Sequence, residues 1–532
     1  NNRDGMVLSQ KLSQNVMSTF LHWKPTVVHD LHESVPFLYT STGTGPYNDE
    51  YDPIVIDEWH TLAYQEITEL TRRGLPGVWT HGFYDGWAPN YTVLSVGNLH
   101  NSIGRFYETY TSSGAGCHTV NLAAADTSRR WDRPNPPVNG VKWCIRTNIN
   151  YQQSGVLIAL RYTADHRDVF LDNFATKGAR MVARGRTSAP YAFVIPRAQR
   201  HSAEAADLVN LFRAHGVEVS EATGDFTVSV DSAARRDSSA RDTTARNAPR
   251  SRTRLVTVPV HAGDWIVRLD QPYAAPARTL LDIQKYKPDD PSPYDDTGWT
   301  LDVLRGVETL KAADSAVLSR PMRLLAGDAR IEGATSGTGS TLIVRHMGDW
   351  RSAVLPWRVK GNAINVADTT FTADGTTYPA GTFVLANDAA TRDAARALGL
   401  ASVATSAPVT VRRHAVTLPR IALMHSWIET QNEGWVRYAF DQMGVPYTYI
   451  SDQSLRRPNF LDRFDVVVYP HVNGPSTTLL NGRPMVGPAI PWKKTALTPN
   501  IGKLDETDDI RPGMGLDGAA ALRRFVERGG LL

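Results

Sequence analysis

The chain has 532 residues, 42% of them apolar, and a net charge of only +3 from 57 Lys and Arg against 54 Asp and Glu. That length allows about two to four globular domains. The charge balance leaves no electrostatic footprint for nucleic acid, and no apolar run approaches a membrane span.

The chain begins at Asn1 rather than Met and stops at ERGGLL, a turn with a strand just starting. Both ends read as cuts through structured regions, so the chain is expected to be part of a longer polypeptide. The two cysteines, Cys117 and Cys144, exclude a cysteine-rich zinc site and a disulfide scaffold. They form either one bridge, which suits an extracytoplasmic compartment, or two buried thiols.

Residues 1–175 alternate helix and strand signals. Leu8, Leu12, Val16 and Phe20, with Met17 and Leu21, predict one apolar helix face that Pro25 ends. TVVHDL, from Thr26, predicts a buried strand. The next helix is predicted from Asp57 as N-cap, with Trp59, Ala63, Ile67 and Leu70 as its stripe and Gly74 as its stop. The Gly- and aromatic-rich stretch after Leu75 reads as loop, and GRFYETYTSSG as a strand running into a turn.

Residues 176–412 carry two similar α/β units. Each has a strand, a helix, a short strand, a strand led by Ala-Gly and a second helix, which reads as an internal duplication. The first copy is interrupted at 232–253 by a run almost without large apolar residues, predicted to be disordered. From Pro419, within residues 413–532, RIALMHS, VPYTYI and FDVVVYP read as buried strands alternating with helices. That pattern predicts a doubly wound parallel sheet, cut off at the chain end.

The chemistry concentrates at the end of the first strand. Alternate strand side chains share a face, so Val28, Asp30 and His32 point one way and His29 and Leu31 the other. His32 is at the strand end, and Asp30 or Glu33 can orient its imidazole. In GRFYETYTSSG, alternation sets Phe106 and Glu108 on one face and Tyr107 and Thr109 on the other. Arg105 can meet a substrate carboxylate or pair with an acid. His100 and Asn101 can line a cleft or stabilise a loop. Phe83, Tyr84, Trp87 and Tyr91 can wall a pocket or simply pack.

Taken in order, NNRDG, DLHES and RFYETYTSSG resemble the zinc carboxypeptidase (metallocarboxypeptidase) family, over the first third of the chain. That family follows an early His-x-x-Glu pair with Asn-Arg, a strand-end His and a late-strand Glu. The resemblance implies that His32 is a zinc ligand, Glu108 the catalytic glutamate, and Asn2 with Arg3 the grip on the substrate's terminal carboxylate. It also implies a tyrosine at the substrate, for which Tyr84 and Tyr91 are both candidates. The implied cofactor is Zn2+, and the implied partner is a peptide or protein with a free C-terminal carboxylate. The implied location is secreted or periplasmic.

Two histidines and a glutamate around zinc leave a position open for water. A nearby carboxylate can move that water's proton, and an Arg fork can fix the cut at the last bond. The first two ligands are expected upstream of Asn2, so this chain alone is expected to be inactive. His201 and Glu204 have ligand spacing but follow Glu108, and read instead as a helix start.

Residues 413–532 resemble the class I glutamine amidotransferase-like fold. No cysteine follows Cys144 to act as its nucleophile. No G-x-S-x-G elbow is present either, which excludes that route to a serine hydrolase. The expected fold is multidomain α/β: part of a carboxypeptidase-type mixed sheet with helices, then small α/β units and an incomplete flavodoxin-like domain. The expected function is zinc-dependent hydrolysis of C-terminal peptide bonds. The alternative is a non-catalytic peptide- or glycan-binding protein on a peptidase-like fold.

Overall fold

The computed structural model describes residues 2–40, 43–82, 84–111, 116–231, 255–287, 289–295, 297–359 and 363–532. The predicted disordered insert 232–253 and Phe83 lie outside the described residues. The protein is a mixed α/β chain with several separate sheets, divided into two compact units, Asn1–Ile331 and Glu332–Leu532. This division falls inside the stretch 176–412, so each half of the repeat belongs to a different unit. One apolar core joins residues before 175 to residues 193–329, and another joins 342–404 to Ile421 and Val445. Neither 175 nor 412 is therefore the edge of a core. No helix among the described residues is long and apolar enough to cross a membrane.

The first unit opens with α1 (Lys11–Trp23), β1 (Val27–Glu33), β2 (Leu38–Thr40), α2 (Pro53–Arg72), β3 (Val78–Trp79), α3 (Thr92–Asn98) and β4 (Ile103–Thr109). In α1 the buried positions are Ser13, Met17 and Phe20. Leu12 is instead exposed, and Leu8 lies before the helix with a left-handed φ of 49°. Helix α2 starts earlier than its apolar stripe suggested. Asp52, not Asp57, caps it by accepting from the Ile54 N–H, and Pro53 takes the first helical position, where its missing N–H costs nothing. The stretch read as loop contains β3 and α3.

The four strands form one mixed sheet in the order β1-β4-β2-β3. β4 is buried throughout and runs parallel to β1, with His32 opposite Glu108. Beyond the sheet, β5 (Cys117–Thr119) and β6 (Lys142–Cys144) pair antiparallel, and a Cys117–Cys144 disulfide ties them together. Helices α4 (Ile145–Asp165) and α5 (Arg167–Thr187) follow.

The rest of the unit contains β7 (Ala192–Ile195), α6 (Ser202–Ala214), β8 (Ser220–Ala222), β9 (Phe226–Asp231), β10 (Leu255–Val260), β11 (Trp265–Arg268), α7 (Ala275–Leu281), α8 (Leu301–Arg305), β12 (Leu310–Ala312) and β13 (Met322–Leu324). The second unit begins with β14 (Thr335–Gly337), β15 (Thr341–Val344), α9 (Trp350–Arg358), β16 (Asn365–Ala367), β17 (Phe371–Ala373), β18 (Thr376–Tyr378), β19 (Phe383–Ala386), α10 (Ala389–Ala397), β20 (Ser402–Thr405) and β21 (Arg413–Ala415). The run β12-β7-β11-β8-β13 in the first unit's seven-stranded sheet has the same connectivity as β20-β15-β19-β16-β21 in the second unit's six-stranded sheet. A hairpin follows β8 in one, β9–β10, and β16 in the other, β17–β18. The turns into β11 and β19 use Gly263 and Gly381 at φ 95° and 85°, a conformation that only glycine adopts without strain.

The second unit ends with β22 (Ile421–His425), α11 (Gln431–Met443), β23 (Thr448–Ser451), β24 (Val466–Val468), α12 (Ser476–Asn481) and α13 (Gly515–Glu527). The strands are parallel in the order β23-β22-β24, and Leu531 makes a further parallel bridge to Val466. Gly444 closes α11 in the left-handed conformation.

One buried charge pair anchors the first sheet to its helix layer. Arg105 on β4 makes a two-pronged contact to Glu66 on α2, both bonds at 2.7 Å, and Tyr107 Oη donates to the same carboxylate at 2.5 Å. Arg105 thus pairs with an acid, and both side chains are fully buried. Removing one partner strands a buried charge. Arg105→Met should lower stability by about 3–5 kcal/mol, and Arg105→Met with Glu66→Leu should recover much of the loss. Urea denaturation of the three proteins checks this. Single-variant losses below about 1 kcal/mol would mean the pair carries no structural weight.

Candidate active site

The alternation of β4 separates two environments. Arg105 and Tyr107 face α2, while Phe106 and Glu108 face the opposite side, where the end of β1 and the segment after β3 bring His32, Tyr84 and Tyr91. Glu108 is 2% exposed. Its Oε1 accepts from the Tyr84 hydroxyl at 2.9 Å and lies 3.5 Å from His32 Nδ1. Its Oε2 is buried without a hydrogen-bond partner among the described residues. Ser34 Oγ lies 3.1 Å from the Tyr84 hydroxyl.

His32 is held on three sides. Its ring stacks on Phe106 at 5.1 Å, its Nε2 meets Asp30 Oδ2 at 2.7 Å, and its Nδ1 faces Glu108. Asp30, not the exposed Glu33, therefore orients the imidazole. Burial opposes charge on His32, but hydrogen bonds to Asp30 and Glu108 and the pull of both carboxylates outweigh it, raising its pKa to about 9. His29, on the other face of the same strand, behaves oppositely. Its ring packs on Tyr107 at 4.1 Å, and burial, then the nearby Arg105 charge, push its pKa well down.

Phe106 is the floor shared by these groups. Tyr91 stacks on it at 5.8 Å and Tyr84 meets it edge-on at 4.9 Å. The Tyr91 hydroxyl accepts from Arg3 Nη2 at 2.7 Å, and the Arg3 guanidinium lies over the Tyr91 ring. The two tyrosines thus serve different neighbours, Tyr84 the carboxylate of Glu108 and Tyr91 the guanidinium of Arg3. Asn2 is exposed, and its backbone carbonyl accepts from the Thr92 N–H at 3.3 Å.

Sequence reasoning missed the segment that covers this site. Arg3 Nε is 2.9 Å from Asp295 Oδ2, which also accepts from Asn90 Nδ2 at 3.1 Å. The Tyr294 ring packs on Tyr84 at 4.8 Å, and its N–H donates to Asp85 Oδ2 at 2.7 Å. Nothing local in PSPYDDTGW marks it as a neighbour of residues about two hundred positions earlier.

Other candidates have structural partners. His100 is fully buried, its ring nitrogens 2.8 and 2.7 Å from the carbonyls of Val96 and His215. Asn101 Nδ2 donates to the Pro272 carbonyl. Trp87 packs on Trp299 and donates to the Lys285 carbonyl. His201 precedes α6 with Nδ1 at the Gly306 carbonyl, and Glu204 lies in the first turn of that helix.

The fit of a zinc ion can be judged from the donor set. Asp30 holds Nε2, the arrangement by which a carboxylate orients a ligating histidine, and a metal at Nδ1 would replace the contact to Glu108. The unpartnered Oε2 of Glu108 supplies negative potential beside it. Among the described residues no group of three or more His, Cys, Asp or Glu is arranged to hold a metal. The residues offer one candidate ligand, His32, with the Glu108 carboxylate beside it, and do not by themselves complete a zinc site. No protein-family model, curated protein or solved structure matches this chain.

The raised His32 pKa has a checkable consequence in the metal-free protein. A folded pKa of about 9 against an ordinary 6.5 stabilises the fold fully below pH 6.5, and that stabilisation is lost as pH rises through 9. Asp30→Asn removes one of the two carboxylates responsible. NMR titration should then show the His32 pKa falling by about one unit or more. An unchanged value would mean that Asp30 does not set its charge.

Proposed function

We propose that this chain is the downstream part of a zinc-dependent metallocarboxypeptidase, a hydrolase removing residues from peptides with a free C-terminal carboxylate. The carrying observation is the contact set of Glu108: a buried carboxylate bonded by Tyr84 and facing His32 Nδ1, with one oxygen lacking a hydrogen-bond partner among the described residues. The reading assigns two further zinc ligands to residues upstream of Asn1 in a longer polypeptide. It includes a carboxypeptidase-type sheet for the first unit and a flavodoxin-like, amidotransferase-related fold for the end of the second. The parallel order β23-β22-β24 supports the latter. The Cys117–Cys144 bridge supports a secreted or periplasmic setting.

Each residue has a definable task in this reading. His32 would hold the metal while Asp30 fixes the ring. When bound, zinc supplies a water of lowered pKa and polarises the scissile carbonyl. Glu108 takes a proton from water and returns it to the leaving amine. The Tyr84 hydroxyl holds Glu108 in place. Arg3, braced by Tyr91, grips the terminal carboxylate of the substrate, with Asn2 alongside.

A second reading, a non-catalytic peptide- or glycan-binding protein, is favoured by one observation. The carboxylate of Asp295 already lies on Arg3, at the position proposed for the substrate's end.

Glu108→Gln separates the two readings in a polypeptide extended upstream. Zinc content and melting temperature should hold, because Glu108 is proposed as a base and not a ligand. Turnover of peptides should fall by about 10²–10⁴. Retained turnover with a lowered melting temperature would reduce Glu108 to a structural residue, and a parent protein that cleaves no peptide would favour the binding reading.

A further inference from the structure

In the second unit, a cleft of ≈ 790 Å³ opens beside the C-terminal end of β22. It lies where the chain order of the parallel strands reverses, with β23 on one side of β22 and β24 on the other. Parallel α/β sheets place ligands at that point. Four rings stand in its walls: Trp427 and Trp492 with ring centres 6.2 Å apart, and Tyr449 stacked on His425 at 4.5 Å.

The polar groups of the cleft are incompletely used. His425 is 2% exposed; its Nε2 meets Asp505 Oδ2 at 3.0 Å, and its Nδ1 has no hydrogen-bond partner among the described residues. Glu433, 4% exposed, lies in the first turn of α11 with Oε1 likewise unpartnered. The buried indole nitrogen of Trp427 is a donor in the same state. Buried polar atoms left unsatisfied are costly, so these three define what an occupant has to offer.

The ligand class follows by elimination. In folds of this kind a phosphate sits on the N-terminus of the helix after the first strand. Here that turn carries the Glu433 carboxylate, which repels an anion. Across the whole lining Arg437, Arg483 and Lys503 stand against Glu429, Glu433 and Asp505, a balance that favours neither an isolated cation nor an isolated anion. What remains is a neutral molecule whose groups both donate, to Glu433 Oε1, and accept, from Trp427 Nε1. Hydroxyl groups do both. Flat indole faces also suit the C–H face of a sugar ring, and a cleft of this size accepts two or three such rings.

We propose that this cleft binds a neutral oligosaccharide, with Glu433, His425 and Trp427 bonding its hydroxyls and Trp427 and Trp492 stacking on its rings. The assignment is independent of the peptidase reading of the first unit. The test is isothermal titration calorimetry of the full chain with chitotriose, cellotriose and maltotriose, alongside inorganic phosphate, AMP and triglycine. At least one sugar should bind with a Kd below about 1 mM. Glu433→Gln, which keeps the shape, and Trp427→Ala should each weaken it about tenfold or more with an unchanged far-UV spectrum. If one variant does not fold, the other carries the comparison. Absence of heat with all three sugars, tight binding of phosphate, AMP or triglycine instead, or sugar binding indifferent to the folded variant would overturn the proposal.

Discussion

The parallel ladder between β1 and β4 puts His32 opposite Glu108, and strand alternation then divides the ladder into two faces with different work. On one face Arg105 and Tyr107 meet Glu66, while His29 packs on the Tyr107 ring. On the other, Phe106 is a flat floor under His32, Tyr84 and Tyr91, and Glu108 stands at its edge. A shift of one residue in the pairing would exchange these faces, putting Glu108 against α2 and Arg105 in the site. The Glu66–Arg105 pair makes such a slip expensive, because an unpaired buried charge has no place to go. Rigidity on the structural face thereby positions the chemical one.

The same ladder explains why two histidines three residues apart behave differently. His29 is buried against Tyr107, and burial, then the nearby Arg105 guanidinium, disfavour its charge. His32 lies between two carboxylates, which favour a positive charge on its ring. A metal held there would compete with a proton for the ring nitrogen, and its occupancy would depend on pH in the sense usual for histidine ligands.

Much of this organisation was legible from local pattern. Alternation alone put Asp30 with His32 and Phe106 with Glu108, and the α/β character followed from the element order. Helix ends were harder. Asp52-Pro53 is a stronger start than Asp57, but the apolar stripe drew attention further along. Pairings across long sequence distances could not be read. Arg105 could equally have met a ligand, and only packing brings Glu66, on a different element, to within 2.7 Å of it. Asp295 and Tyr294 reach the site through the fold of the later sheet, and no short-range signal encodes that contact. The cleft beside β22 was equally hidden, because its walls come from several elements and loops between His425 and Ile510.

The central claim is that His32 and Glu108 belong to one metal-dependent hydrolytic site. Anomalous diffraction at the zinc edge, from crystals of the polypeptide extended upstream of Asn1, tests it most directly. The account predicts a single strong peak bonded to His32 Nδ1, with Glu108 beside it but outside the coordination sphere. A map without density at His32, or with zinc bound elsewhere while His32 keeps its contacts to Asp30 and Glu108, would contradict it.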